Sequence, residues 1–142
     1  LQFQSEKSEE IVSKQKPMTV SVIDRVKMSL AEKNVVLDQS AEWDAYLMAN
    51  GTEAITFSDG TIILHTRVSA SGFFEELIHY GQVMSGRAVP GDEENTLLME
   101  IEAQERLIKH QSAYGITDYE IEVLRSNLCH YCNQLGVLRG RR

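Results

Sequence analysis

Apolar positions in this chain recur at two periods, and the switch between them outlines the elements. Ile23, Val26 and Leu30 stand three and four apart, the spacing of one helix face, and predict a helix over residues 22–33. A short strand over 34–37 follows. Ser40 is a candidate N-cap for a helix carrying Trp43, Tyr46 and Leu47, and Asn50-Gly51 supplies a left-handed residue to end it. Residues 53–58 and 61–68 are β-rich runs joined by Asp59-Gly60, the two-residue turn of a tight hairpin. Helices are expected again over 71–85, 95–110 and 118–135. The last opens on a capping box of Thr117 and Glu120 inside a staple of Ile116 and Ile121, and carries an apolar seam of Leu124, Leu128, Tyr131 and Leu135.

These elements define an α+β fold: a small sheet containing the hairpin, packed on the 71–85 helix and the two helices after it. Residues 1–16 are rich in Gln, Ser, Glu and Lys without a sustained period and are expected to lack order, leaving 17–142 as a single domain.

Within 71–85, at about 100° per residue, Phe74, Leu77, Ile78, Gly81 and Met84 share one arc while Glu75, His79 and Gln82 form a stripe opposite it. The apolar arc is the expected buried face. Glu76 projects from the edge of the polar stripe, and Gly72 is expected in the turn before the helix, because glycine is unfavourable inside one. Over 95–110 the stripe Leu97, Ile101, Gln104 and Ile108 should be buried, with Glu100 flanking it, Glu102 on the far side and Glu105 on the other flank.

A chain of 142 residues has room for one sizeable core. Its formal charge of -7 argues against gripping a phosphate backbone, which needs a basic face, so nucleic acid is not an expected partner. No apolar run approaches the roughly 20 residues that span a bilayer, and the expectation is a soluble domain with no membrane partner. Cys129 and Cys132 cannot make a disulfide framework, and a zinc knuckle needs a second ligand pair; semi-buried helix thiols are expected.

The chemistry concentrates on the polar stripe. Glu75 and His79 are one helical turn apart, so their ligand atoms can converge on one ion, and Glu76 stands where the general base of a zinc hydrolase stands. Glu100 is the best-placed third ligand from a following helix. A di-iron bundle needs a second E-x-x-H helix, which is missing, and Cys129 or Cys132 cannot share a reacting atom with the adjacent His130. His65 reads as a hydrogen-bonded strand residue, His110 and His130 as helix-end cations, and Arg139-Gly140-Arg141-Arg142 as a frayed tail.

Glu76-Leu77-Ile78-His79 matches the E-x-x-H half of the H-E-x-x-H zinc helix, and Glu100-Ile101-Glu102-Ala103 matches the E-x-x-A segment that supplies a third ligand in many zincin-like metallopeptidases. With the order of elements, the stretch from Thr61 to His110 resembles that superfamily, most closely the compact zincin-like domains at the ends of bacterial phage-head and polymorphic-toxin proteins. The resemblance implies a metal-dependent, peptidase-like effector or toxin domain, with Glu75, His79 and Glu100 as ligands of Zn2+ or another divalent metal and Glu76 as the catalytic base. Glu75 departs from the pattern by replacing the first histidine, giving a harder and more negative donor set. A peptide substrate would pair with the outer hairpin strand. The alternative is a catalytically silent zincin-fold module that binds a protein partner through the cleft or through residues 129–135, with a charge that suits a basic partner.

Overall fold

The computed structural model describes residues 7–141. Its centre is a three-stranded sheet in the order β1-β3-β2: β1 is Leu37–Asp38, β2 Ala54–Thr56 and β3 Ile62–Leu64. The middle strand β3 runs parallel to β1 and antiparallel to β2. It is apolar throughout because both faces are covered. Ile62 and Leu64 pack with Leu37, Ile23, Leu30 and Phe73, while Ile63 turns the other way onto Leu47 and Ile55. Ile23 and Leu30 come from α2 (Val20–Ala31), Leu47 from α3 (Asp44–Ala49) and Phe73 from α4 (Ala70–Met84).

On the side of α4 away from the sheet lie α5 (Glu93–Lys109), the short α6 (Gln111–Tyr114) and α7 (Asp118–Gly140). Ala70, Ile78, Ala103, Leu107, Ile116, Ile121 and Leu124 form a second apolar centre among them. Leu107 is fully enclosed there, and truncation to alanine would cost about 2–5 kcal/mol. The α+β class is as expected: a small sheet, one central helix and a helical layer beyond it. Among the described residues no helix is long and apolar enough to cross a membrane.

Several expectations are corrected. Residues 1–6 of the segment expected to lack order lie outside the described residues, but Glu9–Lys14 is a helix, α1, with Val12 buried against the domain. Ser8 caps it, Glu9 and Glu10 open it and Lys14 closes it, and the Arg67 guanidinium binds the carbonyls of Val12, Ser13 and Gln15. Strand β1 sits later than 34–37. The hairpin loop has three residues, since Phe57 N–H bonds Thr61 C=O around Ser58, Asp59 and Gly60, with Gly60 at φ 92. α7 runs past residue 135 to Gly140, where Arg139 pairs with Glu94 at 2.7 Å instead of fraying; Arg142 lies outside the described residues. Cys129 and Cys132 are exposed, not semi-buried.

Candidate metal centre

The start of α4 is held by two carboxylates from distant parts of the chain. Glu53 Oε1, at the foot of β2, accepts from Ser69 N–H at 2.6 Å, and Glu120 Oε1, in the first turn of α7, accepts from Ser71 N–H and its hydroxyl at 3.1 and 2.8 Å. Both sit at the positive end of the helix dipole. Ser69 is the N-cap, so Gly72 belongs to the first helical turn, contrary to expectation. The reason is steric: a Cβ at position 72 would lie 2.6 Å from the Glu53 carboxyl carbon. Carboxylates just before β2 and on α7 thus set the height and phase of the helix that carries the site.

That phase turns the polar stripe inward. Glu75, Glu76, His79 and Gln82 are 3%, 2%, 0% and 1% exposed, whereas Phe74 and Leu77 of the apolar arc are only half-buried and Met84 is exposed. Ile78 is buried as expected. Phe73, off the predicted arc, is the aromatic side chain that fills the core. The helix is covered on both sides, by the sheet and by α5, so its polar face meets protein instead of water. The stripe of α5 is rotated in the same sense: Glu100 and Gln104 are buried, and Ile101 and Ile108 are half-buried.

Glu75, His79 and Glu100 converge. Each offers one ligand atom, and these atoms all lie within 4.8 Å of one another. His79 Nε2 is 2.9 Å from Glu100 Oε1 and 3.8 Å from Glu75 Oε1. Ligands about 2.1 Å from a tetrahedral ion stand about 3.4 Å apart, so these separations bracket the spacing of a zinc-sized cation. Glu102 is not part of the group. It is half-buried, accepts from Gln82 at 3.1 Å and pairs with Arg87, and that hydrogen bond to Arg87 holds its pKa below the usual range.

Gln82 assigns the histidine's tautomer. Its Nε2 donates to the Met99 carbonyl at 3.0 Å, an atom that can only accept, so Oε1 is the atom facing His79 Nδ1 at 2.8 Å. Nδ1 therefore carries the hydrogen, and in the neutral ring the Nε2 lone pair points at the two carboxylates. Gln104 Nε2 orients Glu75 in the same way, donating to its Oε1 at 3.2 Å. Neither role was foreseen, although Gln82 lies on the predicted stripe three residues after His79. A glutamine interrupting the apolar stripe one turn after Glu100 was the corresponding signal for Gln104.

The electrostatics are those of a buried, carboxylate-rich cluster. Among the described residues no lysine or arginine pairs with Glu76 or Glu100, and neither oxygen of Glu100 accepts a geometrically sound hydrogen bond. Burial pulls the His79 imidazolium down, but the adjacent carboxylates of Glu100 and then Glu75 outweigh that, so its pKa stands well above the ordinary value. Burial pushes Glu76 up to about 8, opposed by the nearby His79 charge and by the Thr56 hydroxyl at 2.5 Å. Glu76 is thus an enclosed carboxyl beside the triad and not a residue at the edge of a solvated face. Carboxylates and an imidazole with its lone pair turned inward are a donor set that a divalent ion satisfies.

Residues set aside at first remain apart. His65 Nδ1 accepts from Arg67 N–H at 3.0 Å, and His130 lies on α7. The outer hairpin strand β2 is an edge, but the Thr52 hydroxyl closes part of it, donating to Ala54 C=O at 2.8 Å and accepting from Ala54 N–H at 3.3 Å. Comparison of the chain with protein-family models, with curated proteins and with solved structures finds no match.

Proposed function

We propose that this chain is a zincin-like, divalent-metal-dependent hydrolase domain of peptidase-like chemistry. Glu75, His79 and Glu100 would hold the ion and Glu76 would serve as the base. The observation that carries this reading is the convergence of three buried ligand atoms around a histidine whose tautomer Gln82 fixes. A divalent ion bound there would supply Lewis acidity, polarising a substrate carbonyl and making water easier to deprotonate. Glu76 has the complementary property. A carboxyl whose pKa is about 8 accepts and returns protons near neutrality, where an ordinary glutamate is too weak a base. Gln82 and Gln104 hold the ligands in place, and the effector or toxin character follows from the resemblance of the 61–110 stretch alone.

Elemental analysis of protein purified without an affinity metal tests the reading. Stoichiometric zinc or another divalent metal, lost in His79→Ala and Glu100→Ala, supports it. Metal-free protein that also fails to take up added zinc, manganese or nickel by calorimetry overturns it. The silent, partner-binding module would then be the surviving reading.

A further inference from the structure

A cleft of about 380 Å³ opens between the first turns of α4 and one side of α7, lined among others by Glu53, Gly72, Glu75, Tyr119, Asn127 and Tyr131. Glu75 belongs to it, so the cleft reaches the candidate metal centre. Its floor is continuous: Glu53 lies against Gly72, and Gly72 is three residues from Glu75, about 4.5 Å along the helix axis. Its wall is a row on α7, since Tyr119, Val123, Asn127 and Tyr131 recur at every fourth residue.

The far end of the cleft is already occupied by the chain's own lysine. Lys7 Nζ is 3.0 Å from Glu53 Oε2 and 3.3 Å from Gln15 Oε1, with its side chain only 14% exposed. The two oxygens of Glu53 have divided tasks. Oε1 is committed to Ser69 N–H and Gln15, whereas Oε2 accepts no hydrogen bond among the described residues and meets only the Lys7 ammonium. Oε2 is the half of the carboxylate that can exchange one cation for another without uncapping α4.

We propose that this cleft receives a polypeptide and that Glu53 Oε2 is a subsite for its basic side chain, which Lys7 occupies in cis. The role as substrate cleft rests on the reading of Glu75, His79 and Glu100 as a metal centre; the cation subsite does not. A lysine or arginine fits the buried carboxylate as Lys7 does, and the tyrosines and Asn127 on α7 offer flat apolar surface and an amide to the rest of a peptide. The chain's net charge of -7 favours a basic ligand. Residues 7–15 then act as a strap across the far end of the cleft, held by Val12 and by the Arg67 bonds.

The test compares two probes, acetyl-Ala-Lys-Ala-amide and its norleucine counterpart, which keeps the stem without the charge. Calorimetry is run on the full chain in chelator. In Lys7→Met the lysine peptide should bind about tenfold more tightly than to the wild type, the scale of one charge-assisted contact, and the norleucine peptide should gain nothing. Lys7→Arg should behave as the wild type. If Lys7→Met does not fold, saturating lysine peptide on the wild-type chain should speed exchange of the Lys7 amide, which bonds the Gly51 carbonyl, and norleucine peptide should not. Equal binding of the two peptides to a folded Lys7→Met, or no difference in exchange, overturns the subsite. Because the measurement needs neither metal nor activity, loss of the hydrolase reading leaves its result intact, and metal binding without lysine preference sinks the subsite alone.

Discussion

Gln82 Oε1 lies 2.8 Å from His79 Nδ1, and that contact decides which nitrogen of the ring is available to the two carboxylates. Gln82→Leu removes the acceptor and lets the buried ring turn. Metal affinity should fall about 10–100-fold, the usual effect of losing the partner that orients a ligand histidine. Competition against a chromophoric chelator measures it. Unchanged affinity in a variant of unchanged helicity would show that packing alone holds the ring.

The metal-free and metal-loaded proteins should depend on pH in opposite directions. Glu76 titrates near 8 against an ordinary 4.5, and His79 titrates well above its ordinary 6.5, so the folded chain binds more protons than the unfolded one at both groups. The stability they contribute is fully present below the ordinary values. It is lost as pH rises, for Glu76 from about 4.5 to about 8 and for His79 from 6.5 upward. Glu102 and Glu120 have lowered values, and their contributions vanish only at more acid pH. In chelator the urea midpoint should therefore fall between about pH 6 and 9. With a divalent ion it should rise over the same interval, because the ion competes with the proton for His79 and its charge favours the ionised form of the neighbouring Glu76. A chelated midpoint that climbs with pH would contradict the first half, and a loaded midpoint that falls would contradict the second.

Two glycines of α4 should respond oppositely to the same substitution. At Gly72 an added methyl meets the Glu53 carboxyl at 2.6 Å, so Gly72→Ala must displace the group that caps the helix, at a cost of about 1–3 kcal/mol. Nothing lies within 4 Å of a methyl at Gly81, and Gly81→Ala should stabilise by about 0.5–1 kcal/mol through helix propensity. Urea denaturation of the pair decides it. A harmless Gly72→Ala would mean that Glu53 is not fixed by the first turn of α4.

These glycines also mark where local pattern stops being informative. Periodicity grouped Glu75, His79 and Gln82 on one face and separated Glu100 from Glu102, because residues that share a face are fixed by the helical repeat itself. What that face meets is a tertiary matter. A helix wrapped by a sheet and by α5 buries its polar stripe too, and no count of apolar positions distinguishes that from exposure to water. Gly72 reads as a turn residue until Glu53, nineteen residues earlier, is seen against it. Likewise α1 is too short to persist alone and exists through Val12 and the Arg67 guanidinium. The capping box of α7 was read correctly because it is contained within four residues.

The hydrolase reading depends most on Glu76, whose burial sharpens the test. Near neutrality, with no metal bound, its carboxyl is mostly protonated, so Glu76→Gln replaces one neutral hydrogen-bonding group by another of the same size. The Thr56 hydroxyl can bond the amide oxygen as it bonds Glu76 Oε2. Fold, melting temperature and metal content should therefore stay near those of the parent chain. An amide cannot take a proton from water, so any hydrolytic activity should fall by about 10²–10⁴-fold. The substrate need not be known first: the effect of expressing the domain in its biological setting can be compared for the parent and for Glu76→Gln at matched protein levels. Loss of the effect with metal content preserved supports the base role. Full retention of the effect, again with metal content preserved, leaves a metal-stabilised binding module and rules out the proposed chemistry.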